Sequence, residues 1–368
     1  MLDVDSATPF LLDRGLIDVT SIIDGDLTVI SAARRNRNLQ VRVRGGQGCL
    51  VKQPDDPTAG GHHTLRSEAA FYAFCAQEPA AAGMAAVIPR LLFCDPDQAV
   101  LAVELFDDAL PLWHHFWTHD DGPFPVGIAA ALGRALATVH RLFRLPGLGE
   151  DPRLSWLGRQ SPWVMSVHKP SPELLATLSP ANYRTLLILQ TQERLSERLD
   201  RLWKQWRVET VIHNDVKSDN TLALPSGEVR LVDWEMVQLG DPAWDLAGAL
   251  QDLLIFWVSS MPAGGGMTPE QMIAEGRYPL ATVQGAMRAL WAGYRAGAGL
   301  DPAEAGDLLS RSVVFSGARL IQSAYEMAYG ASVLPATSVL LLQISANLLA
   351  DPGLAQVQLY GIPGGVTV

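Results

Sequence analysis

The sequence predicts an α+β protein of two lobes, an N-terminal five-stranded antiparallel sheet with one inserted helix and a larger, mainly helical C-terminal lobe. Three observations carry the prediction. Period-two, β-branched segments run from Leu27 to Leu105, long helical runs begin after Asp107, and a pair of short strands interrupts those helices between Thr221 and Trp234. The expected division is 1–106 for the first lobe and 107–368 for the second.

In the first lobe the strands are "LTVIS", "LQVRV" and "CLVKQ", then "RLLFCD" and "AVLAVEL". Between the third and fourth lies "TLRSEAAFYAFCAQE", Thr64 to Glu78. Thr64 can cap its first turn, and Leu65, Ala69, Phe71, Tyr72 and Cys75 fall on one apolar face. In the second lobe "VGIAAALGRALATVHRLFRL" and "ANYRTLLILQTQERLSERLDRLWKQW" each read as a continuous helical run. The Gly-, Pro- and Trp-rich stretch between them reads as a long irregular insertion. The segments "TLAL" and "VRLVDW" form a hairpin across a Pro-Ser-Gly turn. Beyond Asp245 the chain is helical apart from the Gly-rich connection "SSMPAGGGMTPE".

Composition bounds the function. With 368 residues, 48% hydrophobic and 18% charged, the chain can bury a substantial core and is not disordered. A net charge of -11 without a long basic block speaks against nucleic-acid binding. Cys49, Cys75 and Cys94 have neither metal-ligand spacing nor an even count, so reduced thiols and a cytoplasmic location are expected. The N-terminus carries acids where a secretory signal carries positive charge, and no apolar run is long enough to span a membrane.

The chemistry concentrates in "VIHNDVKSDNTLALPSGEVRLVDWEM", Val211 to Met236. His213, Asp215 and Asn220 form H-x-D-x-x-x-x-N, and Asp233 follows the second strand of the hairpin. Phosphoryl transfer from ATP demands positioned charge: a carboxylate to orient the acceptor hydroxyl, and oxygen ligands for magnesium on the phosphates. Asp and Asn are also common turn formers, and a lone H-x-D would carry little weight. The ordered set through Asp233, in a strand-loop-strand context, points to catalysis.

"HNDVKSDN", "VDWE" and "GDPAWDLA" resemble the catalytic and metal-binding segments of the aminoglycoside phosphotransferase and choline kinase-like enzymes, which have a protein-kinase-like fold. "LGRALATVH" resembles the helix that precedes their catalytic loop. The resemblance covers roughly Leu27 to Leu250. It implies that Asp215 is the catalytic base, that Asn220 and Asp233 are the magnesium ligands, and that His213 braces the loop 213–220. Asp241 and Asp245 match a segment that stabilises this loop by hydrogen bonds, and 233–235 is the metal-binding segment. Lys217 stands where many relatives have histidine; in protein serine/threonine kinases a lysine there meets the transferred phosphate, and a cation would neutralise developing charge.

ATP also needs a cation on its phosphates and an acidic partner to hold it. Lys52 at the end of the third strand and Glu68 on the inserted helix fit these roles. The turn between the first two strands, "SAARRNRN", lacks the glycines of a protein kinase, and Arg34, Arg35 and Arg37 can clamp phosphates or simply be exposed. Glu104, Leu105 and Phe106 occupy the hinge whose backbone pairs with adenine. The paired histidines His62-His63 and His114-His115 are surface or capping residues, since adjacent side chains rarely face one metal.

The acceptor pocket is expected from the insertion and the last helices of the second lobe; Arg319, Gln322 and Glu326 share a helical face there, a stripe that an amphipathic surface already explains. The foremost expectation is a hydroxyl of an aminoglycoside-like small molecule or natural product. A fainter resemblance, to the kinase-like subunits of class V lanthipeptide or thioamitide dehydration, implies Ser or Thr of a ribosomally made peptide and a lyase partner. A degenerate kinase acting as a binding scaffold is the third possibility; the full set of charged residues argues against it.

Overall fold

The computed structural model describes residues 2–32, 36–54, 59–118, 125–144, 151–262 and 266–363. Of the expected phosphate clamp, Arg34 and Arg35 lie outside the described residues and Arg37 is described. The chain forms two compact units, one of Met1–Pro111 with Asn220–Val237, the other of Leu112–Asp219 with Gln238–Val368.

The first unit opens with α1 (Val4–Asp13), whose Asp3 and Ser6 form a reciprocal capping box, and α2 (Val19–Ile23). Strands β1 (Leu27–Ser31), β2 (Asn36–Val43) and β3 (Cys49–Pro54) precede α3 (Ala59–Gln77), and β4 (Leu91–Asp95) and β5 (Val100–Glu104) complete the sheet. Its order is β1-β2-β3-β5-β4, antiparallel throughout, as the alternating sequence predicts. Ala7, Phe10 and Leu11 of α1 pack on Leu39, Val41, Val51 and Ala102, so this N-terminal helix, absent from the sequence prediction, covers one sheet face. A short strand β6 (Leu110–Pro111) is the last element of the unit's first stretch.

In the second unit come α4 (Leu112–Trp117), α5 (Val126–Leu142), α6 (Pro172–Thr177), α7 (Pro180–Thr191), α8 (Glu193–Gln205) and β7 (Thr210–Ile212). The stretch expected as one long helix breaks at Gln192, whose backbone leaves the helical region. The break resets the apolar phase: Leu186 and Leu189 are buried on one side of it and Leu195, Leu199 and Leu202 on the other. The hairpin β8 (Thr221–Ala223) and β9 (Val229–Leu231) pairs with β6 in the first unit, and Gly227 supplies the left-handed turn residue.

Back in the second unit, β10 (Gln238–Gly240) pairs with β7. Helices α9 (Pro242–Ser259), α10 (Pro269–Ala274), α11 (Leu280–Ala298), α12 (Pro302–Met327), α13 (Ala336–Ala350) and α14 (Pro352–Gln358) follow. Helices α5 and α11 meet at glycines. A Cβ on Gly133 would fall 2.1 Å from the Leu290 carbonyl oxygen, and one on Gly293 2.1 Å from that of Ala130. Helix α9 is buried along most of its length, which explains its nearly continuous apolar sequence. Among the described residues no single helix is long and apolar enough to cross a membrane.

Candidate active site

The residues expected on the phosphate side assemble within the first unit. Lys52 is the fourth residue of β3 and only 3% exposed; its Nζ lies 2.8 and 2.9 Å from the two Glu68 carboxylate oxygens and 2.6 Å from Asp233 Oδ1. Burial alone would lower the Lys52 pKa, but the charges of Glu68 and Asp233 outweigh it, and the ammonium is held protonated. Glu68 is anchored in turn. Its Oε1 accepts from the Tyr72 hydroxyl at 3.3 Å and from the Trp234 N–H at 3.2 Å, while Phe71 stacks on Trp234 with centroids 4.5 Å apart. Thus α3 carries the acid and also fixes the residue that follows Asp233.

The hairpin delivers the two candidate oxygen ligands side by side. Thr221 pairs with Leu231, and the Val232 N–H donates to the Asn220 carbonyl at 3.0 Å, so Asn220 lies beside the residue preceding Asp233. Asp233 itself has φ 68, a left-handed backbone uncommon outside glycine and asparagine. Such conformations persist where surrounding contacts over-determine them, and the Lys52 ion pair and the Trp234 packing do so here.

The expected hinge is partly committed to the sheet. The Glu104 N–H donates to Arg90 O at 2.9 Å and the Leu105 N–H to Gly48 O at 3.2 Å, while the Glu104 carboxylate pairs with Arg90. Adenine pairing of the expected kind would therefore rest on the Phe106 backbone and on carbonyls. Arg230 lies over the Phe106 ring, 5.6 Å from its centroid.

In the second unit the loop 213–220 is held from below by α9. Asp245, buried, accepts from the His213 N–H at 2.7 Å and the Asn214 N–H at 2.8 Å. The left-handed Asn214, φ 68, turns these successive N–H groups toward one carboxylate. His140 of α5 reaches the same carboxylate through Nε2 at 3.2 Å and Tyr294 of α11 through Nδ1 at 2.9 Å. Burial pushes the Asp245 carboxyl up, but the His140 bond and charge and the loop N–H groups overcome it, and its pKa falls below the usual 3.8.

Asp215 and Lys217 face each other, Lys217 Nζ lying 2.7 Å from Asp215 Oδ2. The Asp215 N–H donates to His213 Nδ1 at 3.3 Å, a bond within the loop. Two residues given no firm role by sequence also grip the loop. Arg319 of α12, 4% exposed, donates to Val216 O at 2.9 Å and to Asn214 O at 3.4 Å, and Asp252 of α9 accepts from the Ser218 N–H at 3.0 Å. Gly248 permits this approach, since a Cβ there would sit 2.7 Å from Val216 O. Asp241, by contrast, makes none of its described hydrogen bonds to the loop. It caps α9 at Ala243 and pairs with Arg311, which also meets Glu209 and Asp307.

Residues 26–289, well over half the chain, match the phosphotransferase enzyme family known as APH. The chain belongs to this family. Phosphotransferases of this family move phosphate from ATP to hydroxyl groups, and the chain is accordingly an ATP-dependent enzyme of the kinase type.

Two kinase structures share the fold. A choline/ethanolamine kinase family protein from Mesorhizobium loti aligns with TM-score 0.52 and 17% identity over 94% of this chain and 95% of its own. An ethanolamine kinase from Plasmodium vivax aligns with TM-score 0.53 and 11% identity over 91% of this chain and 84% of its own. A macrolide 2'-phosphotransferase from Brachybacterium faecium aligns with TM-score 0.48 and 16% identity over 95% and 98%. No curated protein sequence matches the chain.

Proposed function

We propose that this phosphotransferase moves the γ-phosphate of ATP to a hydroxyl of an aminoglycoside-like small molecule or related natural product. The observation that carries the reading is the buried Lys52 cation held against both Glu68 and Asp233, an arrangement suited to an anionic phosphate chain and otherwise costly to bury. Lys52 binds the phosphates, Glu68 orients Lys52, and the backbone around Glu104, Leu105 and Phe106 takes the adenine. Arg34 and Arg35 are assigned to the outer phosphates on sequence grounds.

The metal implied by this chemistry is magnesium. The Asn220 amide and the Asp233 carboxylate offer hard oxygen donors, which fit a small divalent cation that takes one or two protein ligands and completes its shell with phosphates and water. When bound, it would neutralise phosphate charge. Asp215 accepts the acceptor's hydroxyl proton as that oxygen bonds to the γ-phosphorus, while the bond from phosphorus to the β–γ bridging oxygen breaks and ADP departs. His213 supports the loop. Lys217, paired with Asp215 at 2.7 Å, lies ready to meet the transferred phosphate.

A net charge of -11 favours a cationic acceptor, which supports the aminoglycoside-like class. Three free cysteines, two of them buried with thiols pushed up to about 11 and about 12, suit a reducing cytoplasm.

The test is ADP release with MgATP and a panel of aminoglycosides, macrolides and amino alcohols, with product phosphorylation read by mass spectrometry. Asp215→Asn should slow transfer by roughly 10²–10⁴-fold while nucleotide binding survives. Asp233→Asn should weaken the response to magnesium as well. Parent-like transfer rates in both variants would sink the assignment.

A further inference from the structure

We propose that Asp252 is a positioning residue, holding the catalytic loop in its working conformation through the Ser218 N–H. The inference rests on the reading of 213–220 as the catalytic loop and assigns a function to a residue outside the recognised motifs.

Three contacts carry it. Helix α9 presents two carboxylates, Asp245 and, seven residues on, Asp252, a spacing that returns to the same helical face. Asp245 takes the N–H groups at the start of the loop, His213 and Asn214, whereas Asp252 takes the N–H at its far end, 3.0 Å from Ser218 N. Between them Arg319 grips the carbonyls of Asn214 and Val216. Asp215 and Lys217 therefore stand on a backbone tied at both ends to one helix and in the middle to another. With Asp252 removed, the Asp245 end would stay fixed and the Lys217–Ser218 end would gain freedom.

The surroundings of Asp252 make a purely structural role a poor explanation. A small cavity beside its carboxyl is walled by Leu112 and Phe116 of α4, Ala129 and Leu132 of α5, and Leu290 of α11. These helices bring no charged group to it among the described residues. The charged groups that face it are Lys217 and Asp219 of the loop and Arg319 of α12. Burial raises the Asp252 pKa from 3.8 to about 6, against the pull of the Ser218 bonds and the Arg319 charge. Its folded pKa exceeds its unfolded one, so the native state binds more protons between these values and stability falls as pH rises through that window. Ionised at neutral pH, Asp252 costs the fold stability while tying down the loop. Such a cost fits a carboxylate that serves the site and not the fold.

The experiment compares the full-length parent with Asp252→Asn and Asp252→Ala. The Asn variant should melt at a higher temperature than the parent at pH 7.5, and the gap should close as pH falls below about 6 and the parent's carboxyl protonates. Hydrogen exchange in the peptide containing Ser218, corrected for intrinsic rate, should be at least about tenfold faster in the Ala variant, with Asn intermediate because its amide oxygen still accepts a weaker bond. With MgATP and water as acceptor, kcat should fall about tenfold in the Ala variant at unchanged KM for ATP. Unaltered exchange at Ser218 in the Ala variant, or a lower melting temperature in Asn at pH 7.5, overturns the proposal. A parent that consumes no ATP with any acceptor counts against the assigned reaction instead, and melting and exchange still decide the role of Asp252.

Discussion

Lys52 is the side chain whose surroundings say most about its work. A buried ammonium with two carboxylates tolerates its position only as a set, because truncating one member leaves uncompensated charge behind. Lys52→Met should therefore destabilise the protein by about 3–5 kcal/mol in urea unfolding and abolish measurable ATP turnover. Asn214 gives a second residue-level expectation. Its φ of 68 lets two N–H groups reach Asp245, so Asn214→Gly should keep both stability and rate, whereas Asn214→Ala should lose about 1–2 kcal/mol in the same unfolding assay. At this scale the motif residues were legible as candidates, since phosphoryl transfer demands particular side chains at fixed spacing. Asp252 and Arg319 were not: their partners lie 34 and 103 residues away, and an acid or arginine on an amphipathic helix has plainer explanations in sequence.

Helices α5 and α11 form the closest helix contact that the glycines report. Each places a glycine against the other's backbone, and the contact aligns His140 and Tyr294 with Asp245. Gly293→Val would drive a side chain into the Ala130 carbonyl, separate the helices and cost about 1–3 kcal/mol or more, read from the urea midpoint. It should also slow phosphate transfer, because His140 would no longer brace Asp245. Sequence periodicity located α5, α9 and the five strands well, since each has a strong apolar pattern. It missed α1, which carries little local signal beyond the Asp3-Ser6 capping box, and it fused α7 with α8, because a single non-helical residue, Gln192, is hard to see among so many leucines.

Over the whole molecule, the expected single boundary near residue 107 gives way to two units exchanging the chain, because the 220–237 hairpin pairs with β6 and not with its neighbours in sequence. The pH response of stability follows from α9, whose two carboxylates have opposite signs. Asp245, with a lowered pKa, contributes stability that is complete above 3.8 and lost as pH falls through its folded value. Asp245→Asn should thus be less stable than the parent at pH 7, with the difference in urea midpoint shrinking only below about pH 4. Asp252 acts the other way. Its shift from 3.8 to about 6 sets an upper bound of about 3 kcal/mol on what its ionisation costs at neutral pH.

The sequence by itself determined the family and the candidate set: acid, amide and cation types at spacings suited to phosphoryl transfer, on strands and loops whose periodicity is local. Only the tertiary structure decided how those groups are held. The convergence of Lys52, Glu68 and Asp233, the tying of one loop by Asp245, Asp252 and Arg319, and the joining of the 220–237 hairpin to the first unit all depend on contacts between residues far apart in the chain. Burial and backbone pairing select such contacts, and neither leaves a local signature in the order of the amino acids.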